Sequence, residues 1–79
     1  MISVKRFYLT GADGKRYSGT IDFYQYQGED IFSFRFDFSG DRFNVKKNET
    51  VWCYGGGMES YLNSWVSELG LQIEATAHL

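Results

Sequence analysis

Seventy-nine residues carrying a net charge of −2, with eight basic and ten acidic side chains mixed along the chain, make one domain, 1–79, with no room for a second core. That balance argues against a general nucleic-acid binder, which carries a strong basic excess, and against an acidic mimic of DNA. Seven phenylalanines, six tyrosines and two tryptophans supply large apolar area per residue, while a single cysteine and a single histidine exclude an internal disulfide and a Cys/His zinc site.

Ile2 to Thr10 predicts a first strand. Gly11-Ala12-Asp13-Gly14 then turns the chain, because Asp-Gly supports the positive φ of hairpin turns. Lys15 to Gln27 predicts a long second strand, in which Ile21 and Phe23 share one face and Tyr24 and Tyr26 are out of step. That phase break implies either a bulge near Phe23 or aromatic side chains on both faces. Gly28-Glu29 leads into DIFSFRFDF, Asp30 to Phe38. Phe32, Phe34, Phe36 and Phe38 alternate there with Ser33, Arg35 and Asp37, a period of two that implies one buried and one wet face. Ser39-Gly40-Asp41 makes the next turn, and Arg42 to Lys46 predicts a short fourth strand with Phe43 and Val45 inward. Short connections place these four strands side by side as a meander.

Asn48 to Gly57 reads as irregular and closes on three glycines. The period then changes. Met58, Tyr61, Leu62, Trp65 and Leu69 fall at i, i+3, i+4, i+7 and i+11, one stripe of a helix, with Gly70 placed to terminate it as the C′ residue. Leu71 to Leu79 alternates again and predicts a fifth strand, expected beside Ile2 to Thr10. The expected class is α+β: a two-layer domain with a four-stranded antiparallel meander followed by one helix and a fifth strand, β-β-β-β-α-β.

A single helix covers a single face. The other face is expected to present Lys5, Ser18, Thr20, Asp22, Ser33, Arg35, Asp37 and Asn44 together with Tyr24 and Tyr26. Tyrosine and arginine are enriched where proteins touch one another. Trp52 and Tyr54 add two bulky rings in a segment that three glycines close. The candidate partner-binding residues are therefore Trp52, Tyr54, Tyr24, Tyr26, Arg35 and Asp37.

Catalytic constellations are not legible. His78 stands next to the C-terminus and nothing in the sequence places Cys53 beside it, so thiol catalysis lacks its base. Asp22 and Asp37 with Arg35 read as a surface charge ladder rather than an acid–base pair. Gly55-Gly56-Gly57 lacks the strand–glycine–lysine context of a phosphate-binding loop. The expectation is a non-enzymatic protein-binding module without cofactor or metal. The alternative is a small nucleic-acid-binding domain that uses the doublets Lys5-Arg6 and Lys15-Arg16, with Arg35 and nearby tyrosines. The sequence shows no basic start followed by an apolar run and no stretch of membrane-spanning length, so a cytoplasmic protein without membrane contact is expected.

The chain resembles the small phage-encoded anti-CRISPR proteins in its length, its start directly at a strand, its meander from Ile2 to Lys46 and its single helix from Met58 to Leu69. The likeness is architectural and assigns no residue a role. It implies a stoichiometric inhibitor that blocks a larger protein or nucleoprotein complex by binding it, in the cytoplasm of a bacterial host. Many such proteins are markedly acidic and imitate DNA; a net charge of −2 departs from that pattern.

Overall fold

A computed structural model describes residues 5–77. Five strands, β1 (Phe7–Thr10), β2 (Arg16–Tyr26), β3 (Glu29–Phe36), β4 (Arg42–Asn48) and β5 (Val51–Gly57), precede one helix, α1 (Asn63–Ala77). The strands pair antiparallel in sequence order, β1-β2-β3-β4-β5, as a curled half-barrel. The order is thus β-β-β-β-β-α, and the β-β-β-β-α-β order expected from sequence is corrected at two places.

The first correction is Val51–Gly57. Read as irregular, it is a full edge strand on β4, with Asn48↔Val51, Lys47↔Trp52, Lys46↔Cys53 and Val45↔Tyr54 in register. Trp52 and Tyr54 alternate with Val51 and Cys53, the same period of two that marks the other strands. The glycines obscured it because the ladder slips beside them: Asn44 pairs Gly56 while Val45 pairs Tyr54, so Gly55 is the extra residue of a bulge. Gly56 and Gly57, at φ 123° and 97°, take a backbone that side chains resist.

The second correction is the C-terminal segment. Leu71–Ala77 is helix, not strand. The helix begins at Asn63, not Met58, and its buried stripe is Val66, Leu69 and Ile73, whereas Leu71 faces solvent. Gly70 lies inside the helix and does not end it. It is buried, and a Cβ there would overlap Cγ and Cδ1 of the Trp52 indole. Ile2–Val4 of the expected first strand and His78–Leu79 of the expected fifth lie outside the described residues.

The phenylalanine row behaves as its period requires over most of its length. Phe34 and Phe36 are buried in the core with Phe7, Leu9, Phe43 and Val45 from the sheet and Val66, Leu69 and Ile73 from the helix. Phe32 is half-buried beside Trp52, and Phe38, beyond the end of β3, is exposed.

Among the described residues no strand lies beyond β1, where the expected fifth strand was placed. Helix side chains seal that edge instead. Gln72 accepts from the Tyr8 amide (2.9 Å) and donates to the Tyr8 carbonyl (2.6 Å). Glu68 accepts from the Thr10 amide and hydroxyl, each at 2.9 Å, and the Trp65 indole donates to the Thr10 carbonyl at 2.9 Å. Unpaired strand groups are a template for aggregation, and one helix face here satisfies them as a strand would. At the other edge, Trp52 Nε1 donates to Glu74 at 2.8 Å and Lys47 pairs with the same carboxylate at 2.7 Å. The helix therefore bridges the two margins of the half-barrel.

Glu74 carries a pH dependence. Bonds from Lys47, and secondarily from Trp52, hold its carboxyl below the ordinary glutamate value of 4.5. A depressed native pKa contributes stability that is present above the unfolded value and lost as pH falls through the folded one. Glu74→Gln is expected to flatten the acid limb of stability between about pH 6 and pH 3, near the titration of unfolded glutamate. Urea unfolding at several pH values measures it; superimposable acid limbs for the two proteins would remove Glu74 from the linkage.

Candidate functional site

Only one face of the sheet is covered by α1, which packs against β1, β4 and β5. Among the described residues no second layer lies on the other face. Its rows follow from the register: Tyr8 beside Ser18; Thr20, Arg35 and Arg42; Asp22, Ser33 and Asn44; Tyr24, Ile31, Lys46 and Cys53; and Tyr26 beside Glu29. Ile31 and Ser33 are buried within this layer although no helix lies over them.

Ion pairs tile much of this face. Arg6 meets Asp37 at 3.1 Å, and Asp37 also accepts from the Ser18 hydroxyl at 2.8 Å. Arg42 meets Asp22 at 3.2 Å and Lys46 meets Glu29 at 3.1 Å. Asp22 and Asp37 are thus each matched to their own arginine. Exposed pairs of this kind are worth about 0–1 kcal/mol, so they shape the surface more than they hold the fold. Arg16 stacks on the Tyr8 ring, 5.0 Å from its centroid. Arg35 stands exposed between Thr20 and Arg42, with no carboxylate partner among the described residues.

The six candidate residues fall into two groups. Tyr24, Tyr26, Arg35 and Asp37 share the uncovered face. Trp52 and Tyr54 lie on the helix side and are not grouped with them. Trp52 packs edge-on to Phe32 (5.5 Å between centroids) and under Gly70. Tyr54 stacks flat on Tyr61 at 4.3 Å, and its hydroxyl donates to the carbonyls of Gly57 (2.8 Å) and Met58 (3.1 Å). Burial, with Glu59 and Tyr61 adding to it, pushes the Tyr54 phenol above its ordinary value.

The hairpin of β2 and β3 adds Phe23, which the six candidate residues do not include. Gln27 and Gly28, both at positive φ, make a two-residue turn closed by Tyr26↔Glu29. Toward that tip Phe23, Tyr24 and Tyr26 are 55%, 43% and 60% exposed. Phe23 points to the helix side but lies beyond the helix's cover, touching Phe32 at 5.0 Å. Its signal was the phase break with Tyr24, which reflects aromatic side chains on both faces of an unbulged ladder.

No family model, curated protein or solved structure matches this chain.

Cys53 is half-buried, its thiol directed at the Lys46 carbonyl at 3.5 Å, and His78 lies outside the described residues. Among the described residues no group of three or more His, Cys, Asp or Glu converges to hold a metal ion. Four of the eight cations, Arg6, Arg42, Lys46 and Lys47, are already paired with carboxylates. No helix of the described chain is long and apolar enough to cross a membrane.

Proposed function

We propose that this chain is a non-enzymatic protein-binding module, a stoichiometric inhibitor that docks on a larger protein or nucleoprotein complex in the manner of the anti-CRISPR proteins, within the cytoplasm of a bacterial host. The observation that carries the reading is the hairpin tip, where Phe23, Tyr24 and Tyr26 present wide ring surface to solvent beyond the cover of the helix. Aromatic rings on a two-stranded ladder are held with little freedom left to lose, and Tyr with Arg dominates the energetics of protein contacts. Arg35, on the Tyr24 and Tyr26 face, offers a guanidinium with no carboxylate partner among the described residues.

The test is affinity capture with tagged wild-type protein and the double variant Tyr24→Ser/Tyr26→Ser. Both are expected to melt alike, because both rings are solvent-exposed. The wild type is expected to retain one partner in equimolar amount, and the variant to bind it at least about tenfold more weakly, as loss of interface anchors does. Undiminished capture by the variant sinks the assignment to the hairpin. Retention of oligonucleotide in place of protein, falling steeply with salt, would transfer the function to nucleic-acid binding.

A further inference from the structure

The half-barrel is not closed at the end where β1 turns into β2. A cavity of about 440 Å³ opens there, walled by Tyr17, Phe36, Phe38, Met58, Leu62 and Trp65. That is within the ~300–1,000 Å³ of small-molecule pockets, which are mostly apolar with a few placed polar groups. Phe36 is the buried floor and Phe38 the lip, 72% exposed yet tilted against Tyr17 at 5.3 Å and edge-on to Phe36 at 5.5 Å. Trp65 stands 5.3 Å from Phe36 and is anchored through its indole bond to Thr10. The rings are therefore set before anything enters.

Charge at the opening has one sign. Asp13 and Asp41 line it, with no lysine or arginine among the lining residues described. Asp13 is fixed by the Lys15 amide (3.0 Å) and the Tyr17 hydroxyl (3.4 Å). Asp41 is fixed through its backbone: its carbonyl accepts from the Phe36 amide at 2.9 Å and its amide donates to Ser39 Oγ at 3.2 Å. Its carboxylate makes no ion pair among the described residues. Aromatic faces attract cations, and carboxylates beside them add selection against anions.

We propose that this cavity binds a small organic cation with an apolar or aromatic body, of the arylalkylammonium class. The body covers Phe38 and fills the space between Tyr17, Phe36 and Trp65, and the ammonium faces Asp13 and Asp41. A methylated lysine head alone would leave most of the volume empty, which favours a free small molecule. The site is separate from the hairpin: Tyr17 and Tyr26 are nine positions apart along β2, roughly 30 Å of extended chain.

The experiment is a ¹⁵N-resolved NMR titration of the intact chain with benzyltrimethylammonium, its uncharged isostere neopentylbenzene, and phenylacetate. Saturable shifts are expected at the Trp65 indole and at the Gly11, Asp13 and Asp41 amides, with the Trp52 indole unmoved. The cation should bind about three- to tenfold more tightly than the isostere, the scale of a partly desolvated cation–π and charge contact, and phenylacetate more weakly than either. Asp41→Asn should narrow the gap between cation and isostere, and Phe38→Ala should weaken both. Equal affinity for the isostere, preference for phenylacetate, or cation shifts away from these residues would each overturn the proposal. None of these outcomes bears on the hairpin, whose test uses different residues and a different readout.

Discussion

Gly70→Ala is expected to destabilise the domain by about 2 kcal/mol, although the same change in an exposed helix interior gains about 1 kcal/mol. The reason is Trp52. A Cβ at position 70 would overlap the ring at Cγ and Cδ1, the root of the indole rather than the end of a flexible chain. The ring cannot swing aside freely, because Nε1 is bonded to Glu74 and its edge meets Phe32. Either the helix lifts from β5 or the indole leaves its place, and overpacking of this kind costs about 1–3 kcal/mol, occasionally more. Urea unfolding measures the loss. A second substitution, Trp52→Leu, removes the obstacle, so the double variant should be less destabilised than the sum of the singles by about 1–2 kcal/mol, the coupling of residues in contact. A higher melting temperature for Gly70→Ala alone would show that helix propensity outweighs the contact and would undo the account of this seam.

The same glycine explains what the sequence could and could not disclose. Gly70 after a helical stripe has the local signature of a C′ residue, and nothing within reach of it in sequence says otherwise. What keeps it in mid-helix is a ring eighteen positions earlier on another element. Once the helix continues, Leu71 must turn outward and Ile73 inward, since Val66, Leu69 and Ile73 keep helical spacing while Leu71, Ile73 and Ala75 happen also to alternate. Two periods overlapped, and tertiary contact decided between them. Trp52 and Tyr54 were illegible as to side: bulky rings followed by three glycines fit an exposed loop and a bulged edge strand equally well. The sealing of β1 by Gln72 and Glu68 leaves no local pattern, because it pairs polar side chains with a backbone more than fifty residues away. The first four strands of the meander were readable, since each carries its own alternation and each turn between them a glycine. Tyr24, Tyr26, Arg35 and Asp37 followed from that alternation alone.

Phe34→Ala is expected to cost about 3–5 kcal/mol, the usual toll for emptying a fully buried phenylalanine site. Phe34 is 0% exposed and sits between Ile21 and Phe43 in register, with ring centroids 4.9 Å from Phe36 and 5.9 Å from Phe43. The end of its ring occupies space left free by Gly19, where a side chain would collide with it. No neighbour can collapse into the hole, because those same rings are fixed by one another and by Trp65 and Tyr61. Chains of fewer than about 80 residues seldom exceed about 3–5 kcal/mol of net stability, so the variant should lose dispersed amide signals and near-ultraviolet ellipticity. Phe38→Ala, four residues on in the same alternating row, should change stability by no more than about 0.5 kcal/mol, because its ring is largely in water already. The pair discriminates between two origins for the row. If the phenylalanines were there only to fill the core, losing the last one would be felt in folding. A loss at Phe34 alone, with Phe38 free to be removed, leaves the exposed ring with work to do at the mouth of the cavity it borders.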